Sequence, residues 1–381
     1  MSTAYPPLER PSLILLTLSL GLATFMQVLD SSIANVSIPT IAGDLAVSPN
    51  QGTWIITSFT VSNAVAMPLT GWLSRRVGEV RLFVLSTMLF TLASWICGLA
   101  PTLPLLIAAR IVQGAVAGPM IPLSQSLLIG NYPPERKTIA LALLSMTAVV
   151  APIMGPILGG WITDNFSWPW IFYINLPIGL TAAFIAWRIL RTRETATVRQ
   201  PIDTVGLVLL VVGIGTLQVM LDRGNELDWF ESPQIILLCI VAALTLTVLI
   251  AWEILEEHPV VDLHLYGKGN FLVGSIVLSF GYMAYFGNLV ILPLWLQTDM
   301  GYTATWAGLA TAPIGILPVL LSTLLARNIN RLDLRVWGSS SFAFFAIVSY
   351  WYSGFSTDIG FWDIVIPRLV QGLGVVAFFV P

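Results

Sequence analysis

Ala151-Pro152-Ile153-Met154-Gly155-Pro156-Ile157-Leu158-Gly159-Gly160 sets two prolines and three glycines into ten residues. In water such a stretch breaks a helix, because proline removes a backbone donor and clashes with the preceding turn. Its flanks are apolar enough to read as a membrane span, where neighbouring helices re-satisfy the freed groups. Ala151, Gly155 and Gly159 recur every four residues, so three small residues share one helix face and let a second helix approach closely. The prolines bend the segment beside that face. By spacing alone, the plain explanation is a tight structural helix contact.

Composition agrees with a membrane setting. The chain is 56% hydrophobic and only 10% charged over 381 residues, whereas soluble globular domains carry about a quarter charged residues. The net charge of -3 comes with no basic stripe, so nucleic acid is not an expected partner. Cys97 and Cys239 fall in apolar stretches and read as small hydrophobes, not as a disulfide or metal pair. No nucleotide-binding loop, nucleophile constellation or metal cluster stands out, so neither an enzyme nor a bound cofactor is expected.

About twelve apolar stretches have the roughly 20-residue length that crosses a bilayer core. They fall near 13–38, 52–73, 82–100, 103–127, 138–162, 168–190, 205–222, 234–252, 271–296, 304–326, 336–354 and 362–381. With a cytoplasmic N-terminus, Arg10, Arg75, Arg76, Arg81, Arg136, Lys137, Arg188, Arg191, Arg193, Arg199, Lys268, Arg327, Arg331 and Arg335 lie inside. That is fourteen of the seventeen basic residues, as the positive-inside rule requires. Arg223 alone lies outside, and Arg110 and Arg368 fall within spans. The run Arg110-Ile111-Val112-Gln113-Gly114 recurs 258 residues later as Arg368-Leu369-Val370-Gln371-Gly372, which argues for two homologous halves.

Chemistry concentrates in the first span. Asp30 lies nine residues before Pro39, about 13 Å at the helical rise, and a carboxylate at that depth costs on the order of 3 kcal/mol unless it faces a cavity or a partner. It is a candidate proton site, since burial disfavours its charge and a neighbouring cation restores it; the plain alternative is a hydrogen-bonded tie to a neighbouring helix. Arg110 is either a fixed partner holding two helices together or a modulator of that carboxylate. Gln27, Asn35, Asn63 and Gln113 are candidates for lining a substrate cavity, although interhelical hydrogen bonding is the commoner use of such side chains. The loop Gly71-Trp72-Leu73-Ser74-Arg75-Arg76-Val77-Gly78 reads as a cytoplasmic gate, or as an ordinary positive-inside loop. Glu253, Glu256, Glu257 and Asp262 make a later loop acidic and read as solvated, and His258 and His264 in that loop lie away from any span.

These motifs resemble those of the major facilitator superfamily. Residues 151–160 follow the antiporter signature g-x-x-x-G-P-x-x-G-G, with Ala151 as the one departure. Gly71, Leu73, Arg76 and Gly78 match the loop signature G-x-L-a-D-r-x-G-r-k, with Arg75 standing where that signature has an acid. Together with Leu29 to Pro39, Trp170 to Asn175 and Leu292 to Gln297, they resemble the fourteen-helix drug:proton antiporters and, within them, the EmrB-type multidrug exporters. The resemblance implies an all-α polytopic membrane protein of two six-helix bundles with two inserted helices. Residues 1–196 would form the N-terminal bundle, 197–265 the inserted pair, and 266–381 an incomplete C-terminal bundle, for about twelve of fourteen helices. It implies export of hydrophobic drugs from an inner membrane by alternating access, driven by the proton motive force, beside a periplasmic membrane-fusion adaptor and an outer-membrane channel. The alternatives are export of a single metabolite or siderophore, or a non-transporting truncated membrane protein acting as a scaffold.

Overall fold

The computed structural model describes residues 8–198, 201–321 and 333–379. Arg199, Arg327, Arg331 and the end of the stretch expected at 304–326 lie outside the described residues. Among the described residues the chain is helical without a strand, and each of the twelve apolar stretches is met by one helix or by two in succession.

Span one is Arg10–Asp44, and span two is Trp54–Ala66 followed by Thr70–Val77. Span three is Glu79–Gly98, and span four is Leu103–Ala117 followed by Met120–Asn131. Span five is Lys137–Asn165, and span six is Trp170–Tyr173 followed by Asn175–Leu190. Thr204–Arg223 and Pro233–Leu255 are spans seven and eight. Gly269–Thr298 is span nine; Ala304–Thr311, continued by a 3-10 turn at Ala312–Gly315, is span ten; Leu334–Tyr352 and Phe361–Phe379 are eleven and twelve. Eight of these helices are long and apolar enough by themselves to cross a membrane. Asp203 and Thr303 cap the helices they precede, their side chains accepting from Gly206 N and Trp306 N.

Span one is the axis of the first bundle, packed against spans five and six, while span two lies on span four and span three on spans four and six. Leu16, Leu20, Met26, Phe59, Phe83, Phe90 and Leu128 fill its centre. Spans seven and eight pair with each other, and span seven also touches span two. Val208, Leu237 and Leu244 on that pair are exposed, as side chains facing lipid would be. In the second half, spans nine, ten, eleven and twelve pack together around Tyr285, Ile314, Phe345 and Val375.

One sequence expectation fails here. Glu253 is fully buried, not solvated. The helix of span eight continues to Leu255, and the following loop folds back so that Val261 N donates to Glu253 Oε2 at 3.1 Å. The position therefore sits in the last turn of a helix that is covered by its own loop.

Candidate functional site

Asp30 is 2% exposed and Arg110 not at all. The helices of spans one and four bring them together, and Arg110 Nη1 donates to Asp30 Oδ2 at 2.5 Å. The remaining carboxylate oxygen, Oδ1, accepts from Gln113 Nε2 at 3.1 Å and from Asn175 Nδ2 at 2.8 Å. Asn175 also donates to Ser94 Oγ at 2.9 Å, and Arg110 Nη1 to Gln113 Oε1 at 2.7 Å. Arg110 is clamped further by Ile55 O, which accepts from Nε at 3.0 Å, and by the Phe59 ring, 4.2 Å from the guanidinium carbon.

Every donor to Asp30 thus comes from spans four and six, while span two holds the arginine from the far side. A buried carboxylate met by a guanidinium and two amides has its oxygens satisfied by charge-assisted bonds. Removing one partner of such a buried pair is costly, because it leaves the other charge uncompensated. Arg110 Nη2 and Asn175 Oδ1 have no hydrogen-bond partner among the described residues, so the cluster retains polar capacity. Asn175 was missed as a site residue by sequence reading. Its only signal was an amide at the start of an apolar span, which reads equally well as a helix start.

The cavity candidates divide. Gln113 belongs to the Asp30 cluster. Gln27 is buried one turn before Asp30 with Oε1 unpartnered, and Asn63 is half-buried on span two with Oδ1 likewise unpartnered. Asn35 is exposed, away from the cluster.

Ala151, Gly155, Pro156, Gly159 and Gly160 are all buried. Their glycine face meets span one: a Cβ on Gly155 would collide with the Ser32 side chain, and one on Gly159 would lie 3.2 Å from Ile33 Cγ2. Ser32 Oγ donates to Pro152 O at 2.9 Å, reaching a carbonyl beside the proline kink. On another side of the same helix, a Cβ on Gly308 of span ten would lie 3.1 Å from the Pro156 carbonyl carbon, and Gly315 faces Ile153. Thr305 Oγ1 donates to Asp164 Oδ2 at 3.1 Å near the end of span five. Span five therefore joins the two halves.

The gate candidates Gly71, Arg75 and Arg76 are exposed, but they lie in the helix Thr70–Val77 and not in the expected loop, because the second helix of span two runs on until Gly78 closes it at φ +97°. Arg76 stacks on Trp72 with its guanidinium carbon 5.1 Å from the ring. Glu194, just after span six, brings a carboxylate to the start of span three. Its carboxylate accepts from Val80 N at 3.0 Å and Arg81 N at 2.9 Å, at the start of span three, where the helix dipole favours negative charge. Val198 N donates to Arg75 O at 2.7 Å, and Trp72 Nε1 to Pro201 O at 3.2 Å, tying this helix to the segment that leads into span seven. A cavity of about 630 Å³ opens there between Trp72, Arg75 and Asp203 on one side and Glu256, His258 and His264 on the other.

Residues 20–381, which include the ion pair and the glycine face of span five, are matched by the profile described as Major Facilitator Superfamily. The chain belongs to that superfamily. Within it the sequence groups with the EmrB type. It is 56% identical over 378 residues to "Multidrug export protein EmrB" of Haemophilus influenzae, covering 99% of this chain and 74% of that one. It is 55% identical over 376 residues to the protein of the same name from Escherichia coli K12, covering 98% and 73%. "Fatty acid resistance protein FarB" of Neisseria gonorrhoeae is 55% identical, covering 99% and 74%. Among solved structures, a POT family transporter bound to a conjugated peptide superposes with a TM-score of 0.68 at 12% identity, covering 97% of this chain and 82% of that one. At that identity the superposition speaks for the family fold alone.

Proposed function

We propose that this chain works as a proton-driven exporter of hydrophobic compounds. Its N-terminus lies in the cytoplasm of a cell with an inner membrane, and it cooperates with a periplasmic adaptor and an outer-membrane channel. The observation that carries the reading is the Asp30–Arg110 pair, closed off from solvent inside the first bundle with Gln113 and Asn175 as further donors. A carboxylate there is expensive to keep, and a reversible proton load is the use that repays it. Relatives named as multidrug export proteins, at 55–56% identity, support export of more than one compound.

The same geometry supports alternating access. With the arginine-rich loops inside, the contacts of span five with span ten, from Ile153 to Asp164, close the outer half of the molecule. Substrate then enters from the inner side. Rocking of the halves about span five exposes Asp30 to the outside, a proton displaces Arg110 from the carboxylate, and the return delivers that proton to the cytoplasm.

The test is reconstitution in liposomes with an imposed pH gradient and a lipophilic dye. Uphill dye movement that collapses with an uncoupler, and is lost in Asp30→Asn at equal protein density, is the expected result. Gradient-independent movement, or a fully active Asp30→Asn, would overturn the reading.

A further inference from the structure

The internal repeat is chemically unequal. An offset of 258 residues carries Arg110, Gln113 and Gly114 onto Arg368, Gln371 and Gly372, and it carries Asp30 onto Asn288. The fold obeys this register. Arg368 Nη2 donates to the backbone O of Asn288 at 2.8 Å, and Nη1 to Gln371 Oε1 at 2.9 Å, repeating the Arg110–Gln113 contact. Gly114 lies against the Phe59 carbonyl, and Gly372 lies against the Ile314 carbonyl and Leu317, the latter being the counterpart of Phe59.

At the position of Asp30 the second half carries an amide, Asn288, and not an acid. Arg368 is fully buried. All twenty acidic residues of the chain lie among the described residues, and none pairs with it. Arg368 Nε and Gln371 Nε2 have no hydrogen-bond partner there. In the first half the matching Nε donates to Ile55 O; the counterpart of Ile55 is Pro313, in the 3-10 turn that interrupts span ten, and no carbonyl takes its place. Every acceptor of Arg110 comes from spans one, two and four, and the counterparts nine, ten and twelve are all present around Arg368. A buried guanidinium served only by a carbonyl and an amide oxygen, beside a second unmatched N–H donor, is a costly arrangement for structure alone.

We propose that Arg368 and Gln371 form a binding site for the anionic oxygen group of a substrate, a carboxylate or phenolate carried on an apolar body. Arg368 Nε and Gln371 Nε2 are the two donors that meet it. Nε and Nε2 can each meet one oxygen of a two-oxygen anion; the Tyr352 ring lies 5.9 Å from the guanidinium carbon, and Tyr285, Ile314 and Phe345 form the apolar cluster of the same bundle. Half-buried Asn288 stands on span nine in place of an acid, its carbonyl accepting from Arg368 Nη2. The first half thus binds the proton and the second half binds the charge of the cargo. This inference rests on the export reading.

The test measures binding, not transport, so that the two can fail separately. The full chain, purified in detergent, is titrated with 2-naphthoate and with 2-naphthylmethylammonium, the same apolar body with opposite charge, following tryptophan quenching. Arg368→Gln is expected to weaken naphthoate by at least tenfold and to leave the cation within twofold. Asn288→Asp restores the acid of the first half. It should weaken naphthoate as strongly while keeping or raising the melting temperature, so the idea stays testable if Arg368→Gln fails to fold. Naphthoate affinity unchanged in folded Asn288→Asp, or equal losses for both probes, would overturn the assignment. So would thermal protection by chloride or phosphate alone that vanishes in Asn288→Asp, which gives the site to an inorganic anion. Naphthoate binding that persists in a protein without gradient-driven efflux would instead refute export and leave the site standing.

Discussion

Asp30 and Arg110 depend on each other more than either depends on the rest of the cluster. Removing the carboxylate leaves a guanidinium enclosed at 0% exposure, and breaking one side of such a pair costs about 3–5 kcal/mol. Asp30→Asn alone should therefore melt earlier in detergent than Asp30→Asn combined with Arg110→Gln, which removes both charges and should recover most of the loss. Neither variant should sustain uphill efflux. A single variant as stable as the double one would mean that the pair contributes no coupling. Asp30, Arg110 and Gln113 were readable in the sequence because polar side chains stand out in apolar runs. Asn175 and Glu194 were not, since their meaning depends on what the chain folds against: an amide at a span start and a glutamate in a basic tail look ordinary until one meets Asp30 and the other the first turn of span three.

At the scale of a helix, the glycines of span five are graded and not equivalent. A methyl at Gly155 runs into Ser32, with the Ser32 carbonyl carbon at 3.0 Å, while at Gly159 the approach is looser, with Ile33 Cγ2 at 3.2 Å and the Ile33 carbonyl oxygen at 3.3 Å. Gly155→Ala should cost about 1–3 kcal/mol as an overpacked contact, with reduced dye efflux. Gly159→Ala should stay within about 1 kcal/mol of the parent in thermal melts. Equal behaviour of the two would reduce the close approach to coincidence. The four-residue spacing of Ala151, Gly155 and Gly159 made the face legible beforehand. Which helix it meets was not legible, because spacing gives the face and only folding gives the neighbour. The end of span eight went astray for a similar reason: charge set the expected boundary at 252, while the helix runs on to Leu255 and takes Glu253 with it.

For the whole molecule, twelve spans and their order were legible because crossing a bilayer fixes both length and polarity. The arrangement of the halves was not, since the contact between them is made by small residues with little signal of their own. Gly308 is the clearest of these. Replacing it with leucine should drive span ten off Pro156 and Ile157 and prop the outer end apart. A cysteine introduced at Thr305 would then become reactive to a membrane-impermeant thiol reagent added from outside, and efflux would fall. Full protection of that cysteine with normal efflux would disprove the wedge.

Span five is claimed on two sides, by span one at Gly155 and Gly159 and by span ten at Ile153 and Pro156, and Trp161, 51% exposed, stands clear just past the motif. Its tolerance to mutation should therefore be a narrow stripe instead of the broad outward face that a lipid-facing helix enjoys. In a saturation library selected for drug survival, Trp161 should accept most apolar replacements, while Ala151, Ile153, Gly155 and Pro156 accept almost none. This helix should thus change more slowly than the surface around it.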